Sequence, residues 1–276
     1  MAGRRLGRQE FKKRQPEIQE RDLDVFNAIQ KARAVTSASL VPLLFPSIPV
    51  ARRRLRKLAS DSYLVGFAPA LHTETQYVLD RRAVDELRDA GVEVNHRQPP
   101  RTFQGYGAHH DGLVRFWSDV AHACHVHPDY ELLRWDFEWE LADGHLNTVT
   151  KFRPDALFVV DDGTAEHVFF VEYDRDTTAR YLPRKLELFE RIYAARAEIF
   201  GESATGVLIV TENERRLDRL LDALKGSTAP VFGRVIGSEG GEQVLDEGWK
   251  QPAVNEGTVR VGGALLGAAG VARGRG

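Results

Sequence analysis

The sequence predicts an α/β protein in two parts: a small basic unit of helices with a strand pair, then a larger three-layer α/β unit. Three observations carry this reading. Helical spacing punctuated by Thr-Ser and Pro fills residues 22–60. Two apolar runs joined by a polar, Gly-containing connection follow, with carboxylates at their far ends. Charge is split along the chain: residues 1–60 hold fourteen Lys/Arg against five Asp/Glu, while the whole carries a formal charge of only −2. A basic half of this kind faces an anion. The length permits two domains and a real hydrophobic core. No apolar run is long enough to cross a bilayer and the N-terminus lacks the h-region of a secretion signal, which points to a cytoplasmic protein without a membrane partner. Cys124 is the only cysteine, which excludes internal disulfides and a thiolate-rich zinc cage.

Residues 1–21 are charged without periodicity and read as a basic mobile tail. A first helix over 22–34 follows from the spacing of Leu23, Phe26 and Ile29. Thr36-Ser37 caps a second helix through Leu40, Leu43 and Leu44, which Phe45-Pro46-Ser47 breaks. The third helix carries Pro49 in its first turn and ends near Asp61. Residues 63–67 and 76–79 read as paired strands, with a helix over 83–89 after them. This order, over 22–95, is that of a winged helix-turn-helix, whose third helix enters the major groove of double-stranded DNA. Arg52, Arg53, Arg54, Arg56 and Lys57 supply the charge for phosphate contacts. The blander alternative is a solvated basic face.

Residues 96–107, with Pro99, Pro100 and two glycines, read as a linker. A second domain over 108–240 opens with a helix at 110–124. Residues 135–141 then alternate strictly, Trp135, Phe137, Trp139 and Leu141 on one face and Asp136, Glu138 and Glu140 on the other, as a strand does. The two apolar runs form a hairpin, followed by a long helix over 177–199, a buried strand at 207–210, a helix over 213–224 and a strand at 231–236. The core order is α-β-β-β-α-β. Residues 241–276 read as a mostly disordered tail.

If residues 161–166 connect the hairpin, Val160 faces His167, Leu157 faces Phe170 and Asp155 faces Glu172. Asp174 returns to the side of Glu172, because side chains alternate along a strand. Three carboxylates at one sheet end repel unless a cation lies among them, and such oxygen-rich clusters suit Mg²⁺ or Mn²⁺. Pro128-Asp129 is set aside as the acid-bearing strand start because no strand-length apolar run follows it directly. Glu138, on the polar face of the first strand, is a further ligand candidate or an exposed carboxylate. Arg175 neutralises the acids or contacts a phosphate, and Thr178 caps the long helix or joins the site. Zinc through His122, Cys124, His125 and His127 is disfavoured, since only His109 and His110 could complete the set.

With Pro154-Asp155 at the start of the second strand and Glu172-x-Asp174 at the end of the third, the order resembles the PD-(D/E)xK, or restriction-endonuclease-like, nuclease fold. That resemblance implies metal held by Asp155 and Glu172, joined here by Asp174, which stands where active members carry lysine. Lys185, on the apolar stripe of the long helix, is the candidate replacement as catalytic lysine; its alternative is a packed stem with the amine in water. The whole also resembles the replication-relaxation family of plasmid and mobile-element proteins. The likeness covers about residues 22–225 and rests on the Arg-rich third helix, His110 opening a helix, Trp135-x-x-Glu138, Arg153-Pro154-Asp155, Glu172-x-Asp174-Arg175 with Thr178, and Lys185-Leu186. It implies DNA binding in replication, relaxation or mobilisation, alongside replication or mobilisation proteins. It leaves three readings open: a metal-dependent nuclease using Asp155, Glu172 and Lys185; a binding-only platform; and a metal-free regulator whose acids are neutralised by Arg175 and Lys185.

Overall fold

The computed structural model describes residues 18–68, 74–94, 107–141, 154–175, 187, 190–191, 194, 204–227, 229–236, 244–245, 248–252, 260–263 and 265. The tail before residue 18, most of the expected linker, Lys185 and Thr178 lie outside the described residues. Of the expected long helix, Glu187, Glu190, Arg191 and Ala194 are described, and they are helical.

Helix α1 (Glu20–Ala32) buries Val25, Phe26, Ile29 and Ala32, and the Asp22 carboxylate accepts the Gln19 N–H at 2.8 Å. Helix α2 (Ser37–Leu44) starts where the sequence marks it. The Thr36 hydroxyl accepts the Ser39 N–H at 3.2 Å and Ser39 Oγ accepts the Thr36 N–H at 3.0 Å, satisfying two terminal donors. Helix α3 (Ile48–Ser60) has Pro49 in its first turn and buries Ala51, Leu55 and Leu58. Strands β1 (Leu64–Phe67) and β2 (Gln76–Leu79) pair antiparallel, and Val35 bridges to Tyr77 as a one-residue third strand. Helix α4 (Arg81–Asp89) is capped by Asp80.

The second unit begins with α5 (Ala108–Val126) and a seven-stranded sheet in chain order, β3 (Glu131–Phe137), β4 (Ala156–Asp161), β5 (Glu166–Asp174), β6 (Ala204–Thr211), β7 (Val231–Val235), β8 (Trp249–Gln251) and β9 (Arg260–Gly263). Pairing is antiparallel through β5, parallel from β5 to β7 and antiparallel again to β9. Helix α7 (Glu214–Ala223), capped by Asn213, joins β6 to β7. Its Leu217, Leu220 and Leu221 pack with Ile209 and Val231. The expected core order is present, and the hairpin register holds: Val160 faces His167 and Leu157 faces Phe170. Asp161 and Glu166 still pair, so the turn itself is Asp162-Gly163-Thr164-Ala165. Gly163 takes φ 79°, which suits glycine, and the Asp162 carboxylate accepts the Thr164 and Ala165 N–H groups.

Two expectations are corrected. The strand expected at 135–141 runs instead over β3, and residues from Glu138 to Leu141 form a short helix, α6. There the Phe137 N–H donates to Glu140 and the Glu138 N–H to the Asp155 carbonyl, which turns the chain out of the sheet. The alternation still predicted burial, since Trp135, Phe137 and Leu141 are buried in either conformation. As expected, no strand-length apolar run follows Asp129 directly: β3 begins close behind it, at the sheet edge, with mostly exposed residues. The expected C-terminal tail supplies β8 and β9, and buries Val244, Leu245, Trp249 and Leu265.

The two units share one core that runs from α1 and α3 through α5 to the sheet. Polar ties reinforce it: Lys31 Nζ lies 2.7 Å from Glu140, and the buried Gln76 amide donates to Asp111. Gly112, near the start of α5, lets the helix sit against β5, since a Cβ there would lie 2.0 Å from the Tyr173 ring. Among the described residues, no helix is long and apolar enough to cross a membrane.

Candidate functional site

Burial of Ala51, Leu55 and Leu58 turns the rest of α3 outward, and the five expected DNA-contacting cations are treated differently by their surroundings. Arg52, Arg53, Arg56 and Lys57 are exposed. Arg54 is not: its guanidinium forms a two-pronged ion pair with Asp22, which is fully buried on α1, with Arg54 Nε 2.7 Å from Asp22 Oδ1. Arg54 is therefore a link between α1 and α3 rather than a surface cation. Three of the other four cations have lighter ties. Arg52 lies 3.8 Å from Glu74, Lys57 pairs with Asp61 at 3.0 Å, and the Arg56 charge acts on the Tyr77 hydroxyl, opposing the rise that burial gives its pKa.

The second candidate region is the end of β4 and β5. The register sets Ala156 opposite Val171, so Asp155 and Glu172 come next to each other as expected. Their carboxylates are employed separately. Asp155 Oδ2 accepts the Tyr173 N–H at 2.8 Å, and its Oδ1 lies 3.4 Å from His109 Nε2 on α5. Glu172 is buried. Asp174 pairs with Arg216 in the first turn of α7, at 3.0 Å and 3.3 Å from the two carboxylate oxygens. Asp155 thus leans to the α5 side and Asp174 to the α7 side. Among the described residues no group of three or more His, Cys, Asp or Glu is arranged to hold a metal ion.

The supporting residues also differ from expectation. His110 is buried away from the carboxylates, with Nε2 3.2 Å from the Ala34 carbonyl and its ring against Trp139; burial lowers its pKa to about 4. Its neighbour His109 is the one that reaches Asp155 and meets the Tyr173 ring edge-on. Glu138 is exposed on α6 and touches the region through its backbone, not through a strand face. Arg175 lies 3.7 Å from Glu212, which accepts the Tyr173 hydroxyl at 2.7 Å. Burial, with the Glu212 hydrogen bond, pushes that phenol well above its ordinary pKa. Sequence reading missed His109, Glu212 and Arg216. A basic residue in the first turn after a strand parallel to β5 was the available signal for Arg216. His109 and His125 are sixteen residues apart on α5, on the order of 24 Å, too far to share an ion.

A family model described as replication-relaxation matches residues 26–203, more than half of the chain. The chain belongs to the replication-relaxation family. No curated protein and no solved structure matches it. The replication-relaxation match begins inside α1 and stops just before β6. It therefore takes in the basic helix, both acid-bearing strand ends and Lys185, and leaves Arg216 outside.

Proposed function

We propose that this replication-relaxation protein binds double-stranded DNA through a winged helix-turn-helix made by α1–α3 and β1–β2. Its sheet unit, a PD-(D/E)xK-like fold, serves as a platform for DNA or for replication or mobilisation proteins and does not cut. The observation that carries the reading is the exposed cationic face of α3, with Arg52, Arg53, Arg56 and Lys57 on a helix anchored by apolar burial and by Arg54. Such a face suits phosphates, whose counterions it releases on binding. The non-cutting form is supported by the strand-end acids: Asp155 is held by Tyr173 and His109, and Asp174 by Arg216. As arranged, this donor set does not fit Mg²⁺ or Mn²⁺, which would have to displace those partners.

The competing reading is metal-dependent phosphodiester cleavage by Asp155, Glu172 and Lys185, with Asp174 as a further ligand. What favours it is the adjacency of Asp155 and the buried Glu172 at neighbouring strand ends. One set of measurements separates the two. Duplex affinity is measured across salt concentrations for the wild type and for Arg52→Ala, Arg56→Ala and Lys57→Ala combined. Supercoiled plasmid is incubated with each protein and Mg²⁺ or Mn²⁺. The expected result is a weaker and less salt-dependent variant, its log–log slope falling by about 0.9 for each phosphate that is no longer neutralised, and no nicking by either protein. Unchanged affinity and slope at intact fold would remove α3 as the DNA-binding element. Nicking that disappears in Glu172→Ala would overturn the non-cutting form.

A further inference from the structure

The surroundings of α3 divide its cations by task, and we infer that Arg53 is the side chain that reads the DNA sequence, by pairing with the major-groove edge of a guanine. This rests on the reading that α3 contacts duplex DNA. Direction along the helix singles out Arg53. On a helix turning about 100° per residue, the buried Ala51, Leu55 and Leu58 define the inward side. Arg53 then lies within roughly 15° of the opposite direction, straight out from the core. Arg52 and Arg56 fall roughly 90° and 50° to one side of that line, and Lys57 roughly 50° to the other. A helix lying in the major groove with this face down aims Arg53 at the base edges and the flanking cations at the two phosphate rails.

The flanking cations also differ from Arg53 in their attachments. Arg52 is tethered to Glu74 and Lys57 to Asp61, and Arg56 has the Tyr77 hydroxyl near enough for its charge to act on it. Each is held beside the helix, where a phosphate can replace a partner already in that direction. Arg53 is exposed, and no such tether to it is found among the described residues. Its neighbours on the outward line do not compete for bases: Pro49 has no side-chain donor, and the Ser60 hydroxyl donates to the Lys57 carbonyl at 2.9 Å. A guanidinium so placed can extend its two parallel N–H groups to O6 and N7 of guanine, the commonest specific arginine contact.

The test is selection of duplexes from a random pool with the full-length protein, followed by affinity measurements on the selected duplex and on a scrambled one. Wild type, Arg53→Ala and Lys57→Ala are compared, with circular dichroism to show that each is folded. Arg53→Ala is expected to lose about 5- to 150-fold on the selected duplex, the range of one bidentate base contact, with little change on the scrambled duplex. Lys57→Ala is expected to weaken both about equally. Replacing one guanine of the selected duplex by 7-deazaguanine should weaken the wild type and leave Arg53→Ala unaffected. Equal losses on both duplexes for Arg53→Ala, with a shallower salt slope, would make Arg53 a phosphate contact and overturn the inference. So would a wild type that binds duplex DNA without selecting any sequence, in which case DNA binding by α3 still stands. If neither variant alters binding to either duplex, α3 does not touch the DNA and both readings fall.

Discussion

Arg54 shows how a single residue changes meaning once its neighbours are known. In the sequence it is the last member of three consecutive arginines on a basic helix; in the fold it neutralises the fully buried Asp22. Removing one partner of such a pair strands the other charge in a poorly solvated place. Arg54→Ala should therefore destabilise the protein by about 3–5 kcal/mol, read from denaturant midpoints. A normal midpoint with weakened DNA binding would instead return Arg54 to the DNA-facing set. His109 and His110 make the same point: adjacent on α5, they point to different sides of the helix, and the sequence offers no reason to choose between them for the carboxylate end. The helical phase of α5 relative to β4 and β5 decides it, through the close approach that Gly112 permits.

At the scale of elements, the β4–β5 hairpin was legible to the register because two buried faces and a tight polar turn leave no room for slippage. What could not be read was the direction taken by a carboxylate at a strand end, where the pleat no longer constrains it. Asp174 illustrates the consequence. On the proposed PD-(D/E)xK-like reading it stands where a catalytic lysine would, and it is bound to Arg216, whose side chain is nearly as buried as its own (14% and 11% exposed). Asp174→Lys should not create a nuclease; it sets two cations against each other and should cost about 3 kcal/mol or more. The double exchange Asp174→Lys with Arg216→Glu should recover much of that stability. Denaturation midpoints of the single variants and the double exchange check this, and a stable Asp174→Lys that nicks supercoiled DNA would refute it.

For the whole molecule, three titratable groups on α5 give the shared core a pH signature. Burial lowers the His110 pKa from the usual 6.5 to about 4, and burial raises Asp111 and Asp119 from 3.8 to about 6. The signs oppose. The unfolded chain protonates His110 before the folded one does, so that contribution is present above pH 6.5 and is lost as pH falls toward 4. For the two aspartates the folded chain takes up protons first, so their contribution strengthens as pH falls from about 6 toward 4. Two aspartates outweigh one histidine, so these three groups should leave the wild type gaining modest stability as pH falls from about 6 to 4. His110→Gln should remove the His110 effect, worth about 3 kcal/mol by the pKa difference, and leave stability rising as the medium is acidified from pH 6 to 4. Denaturant midpoints between pH 4 and 7.5 test this, and a variant that gains no more stability than the wild type between pH 6 and 4 would contradict it.

Periodicity, capping residues and turn chemistry in the sequence by themselves determined the order of helices and strands, the hairpin register and the basic outward face of α3, because each is a local property of the chain. The family was legible in the same way, from the order of its motifs. Tertiary structure alone decided which cation of α3 is a strut, which histidine meets Asp155, and that Arg216 holds Asp174. It also decided that residues after 240 complete the sheet: their strands, of three and four residues, are too short to carry much local signal, and only docking beside β7, with Trp249 in the core, gives them a partner. These outcomes depend on the meeting of segments far apart in the chain, and side-chain charge cannot tell its partner in advance when several lie within reach.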